Sequence, residues 1–491
     1  MNDAPSVSPR PIERRALLAL GLIIAGYTLL FFWLAGRKYE FATAESGDIA
    51  AVNHVFWSSL HGKFFWHFGI DRSYFAMHQE YLLFLIWPLY ALFPGPHTLF
   101  FVQTLCIALS AVPMFLIARR VLEDDISAVA VATALIMFPS IVSQNVNQLH
   151  TSQWVLPLLL ACFYFFLAEN FRWYAVFCIL AALGKENTPL TLLMFVPYAL
   201  WKRRARRWWL TPLVVSVIML VLDFKIVGPY FARGWKYEAM GYLSNFGSSW
   251  SEIIGNVLFN PPKLFGALFQ PANLGYLIQL LQPALWLLPF LAPEVIFAAP
   301  DLGVNLLAAN TGMKVPAWHY NVYCGAFLIL GCVFALPRLG RWVAKRVGPW
   351  RLCPVVPVLL AAFAIAHWPF WLEPQQFEPL PFYEAQRAAR EMVPADASLL
   401  IGPEMIVGQF SSRLKFTTDD RVNDDPQRMF DYDYAYFDLN YRGASPPLPV
   451  ETVKAFVDNP DYEMIYSRQN IYVFRRKLIV PPASSGEPVN K

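Results

Sequence analysis

Two carboxylates near the start of the chain are the first side chains that could do chemistry. In ESGD (45–48), Glu45 and Asp48 are three residues apart, so a helix would place both on one face. A carboxylate in a crevice beside a membrane can have its pKa raised into the working range of a general base. The alternative is that the two acids only stabilise the beginning of a helix through its dipole.

Histidines mark two further polar segments. His78 comes two residues before Glu80, just ahead of a short apolar stretch, and NQLH (147–150) ends in His150. Imidazole changes its charge near neutral pH, which suits a functional site on one membrane face. Either segment could instead be an interfacial cap or an ordinary polar turn between two spans.

The segment GKEN (184–187) is the hardest to explain without a function. It places Lys185 and Glu186 inside an apolar stretch that runs from Tyr174 to Leu200. Each charge at membrane depth costs about 2.5 to 3.5 kcal/mol on insertion scales. Adjacent helical residues point in different directions, so Lys185 can face an anion while Glu186 meets a cation or a helix end. The alternative is a tight hairpin whose charges reach the interface.

Two polar aromatic segments complete the set of candidates. ARGWKYEAM contains Arg233 and Lys236, and KVPAWHY contains His319 and Tyr320. Cations and carboxylates that converge on one membrane face suit transfer from a lipid-linked phosphate. Apolar grooves would hold the polyprenyl chain, cations would neutralise the phosphate leaving group, and a carboxylate would take the proton of the acceptor.

A metal site is suggested by the types of three side chains and not by their spacing. A divalent cation, Mg²⁺ or Mn²⁺, could be held by Asp48, His78 and Glu186, although no ligand spacing requires it. The acid-rich TTDDRVNDD (417–425) lacks the alternating oxygen ligands and the closing Glu of a calcium loop, which favours a solvated loop. The six cysteines lie in or beside apolar runs and are interpreted as buried hydrophobes, not as disulfides or a metal site.

The elements that must position these residues are membrane helices. The chain is 56% hydrophobic with a mean hydropathy of +0.39. Its apolar runs of about 17 to 25 residues are long enough to cross a hydrocarbon core. The net charge of +4 is small, and basic residues form short clusters between the runs, which argues against a nucleic-acid partner. Eleven transmembrane helices are predicted, over 16–35, 98–118, 126–142, 154–169, 172–184, 188–201, 208–225, 272–292, 293–309, 320–337 and 353–371.

The basic clusters predict the orientation of these helices. If the spans alternate, every cluster falls on one side, which the positive-inside rule assigns to the cytoplasm. The N-terminus is then cytoplasmic, and all eight histidines lie on or near the outer face of the cytoplasmic (inner) membrane of a prokaryote. The stretch 81–93 is too short to span and is predicted to lie along or dip into the outer interface.

The composition changes to that of a soluble protein near residue 372. Five strands (398–403, 413–418, 433–439, 462–467 and 471–476) and two helices (384–392 and 450–456) predict a small α/β domain. We therefore expect an α-helical polytopic membrane protein with three regions along the chain. These are a transmembrane domain at 1–371 with a long first extracytoplasmic loop at 36–97, an extracytoplasmic α/β domain at 372–480, and a disordered tail at 481–491.

Taken in order, these polar segments resemble a family of prokaryotic polytopic predicted membrane proteins, itself similar to the glycosyltransferase C superfamily. The motifs are an acid-rich first loop, a His before LLFLIWPLYALFPGP, FPSIVSQNVNQLH, LGKEN, and WLLPFLAPE followed by HY. The resemblance covers about 37–340. It implies that Asp48 is the catalytic base or a metal-linked carboxylate, and that His78, His150 and the pair Lys185 and Glu186 occupy recurring polar positions.

The sequence departs from the family pattern at two places, where it has Asn53 followed by His54, and Asn187. The resemblance and the residues together predict a membrane glycosyltransferase that moves a sugar from a polyprenyl-phosphate donor to an extracytoplasmic acceptor. Asp48 would be the general base and Glu45 a supporting acid. The phosphate-binding set would be His78, His150, Lys185, Glu186, Arg233, Lys236, His319 and Tyr320. A transporter or flippase of a lipid-linked or anionic substrate is the alternative, and a non-catalytic assembly or sensor protein is a third.

Overall fold

The structure is a computed structural model that describes residues 11–44, 46–234, 239–347, 357–358, 360–361, 373–402, 404–418, 426–440 and 450–477. Several sequence predictions fall outside these residues. They are Glu45, Lys236, residues 419–425 of the acid-rich run, most of the predicted span at 353–371, and the predicted tail at 481–491.

The described chain is mostly helical, as its composition predicts. Its α-helices are α1 (Arg14–Glu40), α2 (Ser46–Leu60), α3 (Leu83–Leu92), α4 (Pro96–Leu122), α5 (Asp125–Ile136), α6 (Pro139–Asn147), α7 (Ser152–Leu167), α8 (Phe171–Ala182), α9 (Thr188–Leu193), α10 (Phe195–Trp201), α11 (Arg206–Val221), α12 (Gly228–Ala232), α13 (Ala239–Tyr242), α14 (Trp250–Phe259), α15 (Pro261–Leu268), α16 (Pro271–Leu281), α17 (Ala299–Leu307), α18 (Val322–Val347), α19 (Tyr383–Glu391) and α20 (Val450–Asp458). The strands are β1 (Trp66–His67), β2 (Arg72–Ser73), β3 (Leu399–Gly402), β4 (Phe416–Thr418), β5 (Tyr434–Asp438), β6 (Tyr462–Arg468) and β7 (Ile471–Arg476).

Among the described residues, 4 helices are long and apolar enough to cross a membrane, and up to 6 if two bent pairs each form one span. The four are Arg14–Glu40, Pro96–Leu122, Arg206–Ala232 and His319–Trp342. Helices α7 and α8, of 16 and 12 residues, coincide with predicted spans but are shorter than the roughly 20 residues that span a bilayer. The total of eleven therefore stays a prediction.

The chain divides into two compact units, and the boundary does not follow the end of the apolar sequence. The membrane unit comprises 1–38 and 72–377, and the α/β unit comprises 39–71 and 378–491. The predicted first loop is thus shared between the two units. Residues 39–71 join the α/β unit because Ala42 and Ala50 share a hydrophobic core with Ala385 and Leu399.

The core of the membrane unit is packed by α4, α5, α7, α8 and α18. Their buried side chains are small, aliphatic or aromatic, and Ala108, Leu159 and Phe327 are completely buried. Small residues allow close approach of helices where lipid provides no hydrophobic driving force between them. The polar turns that join these helices are therefore held on a well-packed scaffold.

The α/β unit contains a five-stranded sheet in the order β4-β3-β5-β7-β6. Strand β3 is parallel to β4 and β5, whereas β7 is antiparallel to both β5 and β6. The fully buried residues Leu399 and Leu400 point to opposite faces of the sheet and enter two separate hydrophobic clusters. All five strands predicted from the period-2 pattern are present, so the expectation of a small C-terminal sheet is confirmed.

Helix α2 packs closely against the turn at 404–410 within the α/β unit. The Ser46 hydroxyl accepts a 2.6 Å hydrogen bond from the Gly408 amide, and a Cβ on Gly408 would lie 2.6 Å from that same oxygen. Only a glycine allows this approach without a shift of the helix. The segment that carries Asp48 is therefore fixed by residues more than 350 positions later in the chain.

Candidate functional site

A buried pair of His78 and Glu186 is the centre of the candidate site in the membrane unit. His78 lies in the loop before α3, and Glu186 lies in the turn between α8 and α9. Their Nδ1 and Oε1 atoms are 2.8 Å apart, with side-chain exposures of 25% and 8%. His78 is thus the more accessible member of a pair whose carboxylate is almost completely enclosed.

Lys185 and Glu80 form a second contact in the same place. The ammonium of Lys185 is 3.8 Å from Oε1 of Glu80, whose side chain is completely buried. The Tyr74 hydroxyl donates a 3.2 Å hydrogen bond to Oε2 of Glu80. Oε1 accepts no hydrogen bond from the residues that the structure describes. A fully buried carboxylate is therefore only partly satisfied by its surroundings.

Two stacked histidines lie on the other side of Lys185. The rings of His150 and His319 are 3.7 Å apart between centroids and nearly parallel, at 15°. The ammonium of Lys185 is 3.5 Å from both ring nitrogens of His150. Gln148 holds His319 through its side-chain oxygen, 3.3 Å from Nδ1. Residues from four separate segments therefore meet at one point.

Two more carboxylates lie beside these residues. The hydroxyl of Tyr81 donates a 2.7 Å hydrogen bond to Asp223, which lies in a π-helical stretch, Leu222–Val227. The amide of Asn187 donates a longer, 3.4 Å bond to Asp301 in α17. π-Helical turns inside α-helices are frequent at functional sites. We call the set His78, Glu80, His150, Lys185, Glu186, Asp223, Asp301 and His319 the acidic cluster.

Burial and neighbouring charge act on the carboxylates of this cluster in opposite directions. Burial raises the pKa of Glu80, and Lys185 and His78 only partly oppose it. Burial would also raise the pKa of Glu186, but the charges of His78 and Lys185 and the hydrogen bond with His78 lower it to about 2. Burial lowers the pKa of His150, which keeps its ring neutral. Two carboxyl groups with pKa values driven apart are typical of sites that move protons.

Gly184 allows the Lys185 turn to sit where it does. A Cβ at this position would lie 2.1 Å from Cγ2 of Val155 in α7 and 3.0 Å from the carbonyl oxygen of Ala181. Any larger residue would have to push the turn away from α7. The glycine in LGKEN thus brings the two charged residues against the packed core.

Other elements carry the remaining predicted site residues. Asp48 is partly exposed in the first turn of α2, in the α/β unit, as a helix start with an acidic residue predicts. Arg233 is exposed at the end of α12 with a left-handed backbone (φ 46°). Tyr320 stacks obliquely on His319, with centroids 3.9 Å apart, and its hydroxyl bonds that of Tyr242. Glu45 and Lys236 are not among the described residues.

Sequence reasoning did not select three of the carboxylates in the acidic cluster. Glu80 was noticed only as a neighbour of His78, and its position two residues later was the available signal. Asp223 and Asp301 each stand alone in apolar helical sequence, where a charge is costly. That cost was a usable signal for both residues.

A second buried polar cluster lies among the basic residues of the membrane unit. Glu294 is completely buried and accepts hydrogen bonds from Arg338 at 3.0 Å and from the Tyr198 hydroxyl at 2.9 Å. The ammonium of Lys202 is 3.6 Å from the same carboxylate. We call Tyr198, Lys202, Glu294 and Arg338 the balanced cluster, because two cations and a hydroxyl surround a single acid.

Comparison with solved structures gives similar chains that include two of ArnT from Cupriavidus metallidurans. One is bound to undecaprenyl phosphate and the other is in the apo state. Each has 15% sequence identity and a TM-score of 0.49, and the match covers 98% of that chain and 91% or 92% of this one. A likeness of this size carries no argument about what this chain does. No curated protein matches the sequence.

Comparison with protein families gives a match to most of the chain. The model described as "Predicted membrane protein (DUF2079)" matches residues 46–407, which include Asp48 and every member of the acidic cluster. The polar segments that suggested such a family all fall within this range. The chain therefore belongs to the predicted membrane protein family DUF2079.

Proposed function

We propose that this chain is a membrane glycosyltransferase that moves a sugar from a polyprenyl-phosphate donor to an extracytoplasmic acceptor. The observation that carries the proposal is the meeting of His78, His150, Lys185, Glu186 and His319 in one largely buried site. These residues come from segments that the chain separates by up to 241 positions, from His78 to His319. Charged side chains are costly in an apolar helical unit, so their convergence favours a functional role.

The acidic cluster supplies groups for the departing phosphate. Lys185 is a buried cation in this cluster, and the His150 and His319 rings beside it can donate hydrogen bonds. Arg233 would add charge for the phosphate from an exposed position. Lys236, which follows it in the sequence, would add a further charge, and Tyr320 would orient His319. Fixed donors at the developing charge are usually the largest contribution to catalysis.

Asp48 is proposed as the general base, with Glu45 as a supporting acid. The carboxylate takes the proton of the acceptor hydroxyl while the acceptor oxygen attacks the anomeric carbon from the face opposite the phosphate. The bond from that carbon to the phosphate oxygen breaks, and polyprenyl phosphate leaves with the electron pair. The configuration at the anomeric carbon is therefore inverted.

The lipid part of the donor fits the surface of the membrane unit. Leu92, Phe259 and Phe269 are 73%, 83% and 81% exposed on its helices. Apolar side chains that are exposed to this extent on membrane helices are suited to lipid chains. We place the protein in the inner membrane of a prokaryote, with a cytoplasmic N-terminus and the C-terminal domain outside, as the basic clusters predict.

The direct test is to incubate the purified full-length chain with a panel of labelled polyprenyl-phosphate sugars and to measure released polyprenyl phosphate. Release with at least one donor is expected. Replacing Asp48 by Asn should reduce it by about 10²- to 10⁴-fold, since general-base catalysis contributes about this much. Asp458→Asn, an exposed acid at the end of α20, is the control and should leave release unchanged.

Transport of a lipid-linked or anionic substrate is the second candidate. It is favoured by two helix pairs bent at short breaks, α5 with α6 by 48° and α15 with the helix that follows it by 55°. Broken helices are common at the substrate sites of transporters. Proteoliposomes that move an intact labelled lipid between leaflets without releasing polyprenyl phosphate would favour transport over transfer.

A further inference from the structure

The acidic cluster has more carboxyl groups than cationic side chains. Glu80, Glu186, Asp223 and Asp301 contribute four carboxylates, and the lysine that acts on three of them is Lys185. The balanced cluster, by contrast, sets two cations around one acid. A buried site with excess carboxylates repels an anionic phosphate unless a further cation is present.

Three of these side chains already have the arrangement of metal ligands. One atom each from His78, Glu80 and Glu186 lies within 4.8 Å of the other two. Ligands at about 2.1 Å from a common ion are about 3 to 4 Å apart, so small side-chain shifts complete the site. His78, with a 25% exposed side chain, gives an ion access from outside.

Glu80 gives an independent sign that a ligand is missing. It is completely buried, and its Oε1 atom accepts no hydrogen bond from the described part of the chain. Lys185, at 3.8 Å, is too far for a hydrogen bond. A divalent cation at this point would be a partner for the oxygen.

We infer that His78, Glu80 and Glu186 bind one divalent cation. The sequence had suggested Asp48 as the ligand beside His78 and Glu186, and Glu80 takes that role here. Two carboxylates and one imidazole suit Mn²⁺ or Zn²⁺ better than Mg²⁺ or Ca²⁺, which prefer oxygen ligands alone. Three protein ligands leave positions open for another molecule, as in catalytic metal sites.

The role of the ion rests on the proposed function, although its binding does not. When bound, the ion would add positive charge for a donor phosphate beside Lys185. Lys185 would hold Glu80 and the His150 ring in place beside it. Transfer should then be lost on chelation and restored by Mn²⁺ or Zn²⁺.

The test is a titration of the EDTA-treated, desalted full-length chain with MnCl₂, followed by the electron paramagnetic resonance signal of free Mn²⁺. About one saturable site per chain is expected, from which Zn²⁺ displaces Mn²⁺ and equimolar Mg²⁺ does not. The variant E80Q should bind Mn²⁺ at least about tenfold more weakly, a loss like that seen when metal-site groups are removed. E294Q, at an equally buried acid in the balanced cluster, should bind Mn²⁺ like the wild type.

Several outcomes would overturn the inference. Among them are the absence of saturable Mn²⁺ or Zn²⁺ binding in the wild type, and equal binding in folded E80Q. If E80Q elutes as an aggregate, H78Q replaces it, because His78 is more exposed and its removal leaves Glu80 in place. If transfer persists in EDTA without bound metal, the metal site is wrong and the glycosyltransferase function stands. If the chain binds metal but releases polyprenyl phosphate from no donor, the metal site stands and the glycosyltransferase function is wrong.

Discussion

The two buried polar clusters of the membrane unit differ in how their charges are matched. Glu294 in the balanced cluster has Arg338, Lys202 and the Tyr198 hydroxyl within hydrogen-bond or ion-pair distance. Glu80 in the acidic cluster has one hydroxyl at 3.2 Å and one ammonium at 3.8 Å. Both carboxylates are completely buried, so burial does not account for the difference.

The contrast separates a polar group that stabilises the fold from one that serves another purpose. A buried acid whose oxygens all have partners can be explained by its role in the fold. A buried acid with an unsatisfied oxygen lowers the stability of the fold. Natural proteins retain such groups mainly at functional sites. Substitutions in the balanced cluster should therefore affect stability, and those in the acidic cluster should affect activity.

Among the changes that compare the two clusters, the largest effect is expected for their lysines. Lys185→Met should reduce the release of polyprenyl phosphate by about 10²- to 10³-fold, the usual consequence of losing one fixed group that stabilises a developing charge. Lys202→Met is the matched control, because Arg338 still pairs with Glu294. Equal activity of the two variants in the same release assay would remove the distinction between the clusters.

The second effect tests whether the close packing at Gly184 positions the acidic cluster. Gly184→Ala places a methyl group 2.1 Å from Val155, and overpacking of this kind costs about 1 to 3 kcal/mol. We expect a lower Tm in detergent together with reduced transfer. Gly255→Ala is the control, since a Cβ there meets no atom within 4 Å and alanine favours its helix. A Gly184→Ala protein with wild-type Tm and activity would contradict the positioning role.

Opposite changes in Tm are expected for the two buried glutamates. Glu294→Gln removes the charge that two cations require and should lower the stability by about 1 to 3 kcal/mol. Glu80→Gln, measured in EDTA, removes an unsatisfied charge. It should raise the stability by about 0.5 to 2 kcal/mol, because substitutions at functional sites often increase stability. Scanning fluorimetry of both variants in one detergent gives the comparison. A lower Tm for both would show that Glu80 is as structural as Glu294.

The smallest effect concerns a buried histidine of the α/β unit, which belongs to neither cluster. Burial lowers the pKa of His54 in the α/β unit to about 4, with Lys63 adding to the shift and the Ser411 carbonyl opposing it. Below the unfolded pKa of about 6.5 the unfolded chain binds one more proton, so stability falls with falling pH. The loss is about 1 kcal/mol between about pH 7.5 and pH 6.

This pH effect should be weaker in His54→Gln, which cannot take up a proton. His61→Gln, at an exposed ring in the same unit, should keep the full dependence. Tm measured across this pH range by scanning fluorimetry gives both slopes. If wild type and His54→Gln show the same slope, His54 does not titrate in this way.

Much of the helical and strand content could be read from the sequence. The strand segments at 398–403 and 471–476 are short runs of aliphatic or aromatic residues next to turn signals, and both form strands of the sheet. The positions of GKEN and NQLH at turns followed from the interruption of apolar runs. The division into units did not follow, because the contacts of Ala42 and Ala50 with Ala385 join segments that local pattern cannot connect.

The candidate site was likewise predicted in part. His78, His150, Lys185, Glu186 and His319 were selected as separate polar interruptions, and the structure brings them together. Glu80 remained a neighbour of His78 in the sequence, since its burial and its unsatisfied oxygen depend on Tyr74 and Lys185. Asp223 and Asp301 were missed because each is a lone acid whose partner lies far along the chain.

The sequence by itself determined that this is a helical membrane protein with a small α/β unit and polar turns at fixed places, because hydropathy and periodicity are local properties. Only the tertiary structure decided which charges share a site. The 2.8 Å pair of His78 and Glu186 joins residues 108 positions apart. Distances of this kind depend on how helices pack, and packing is decided by the whole chain at once.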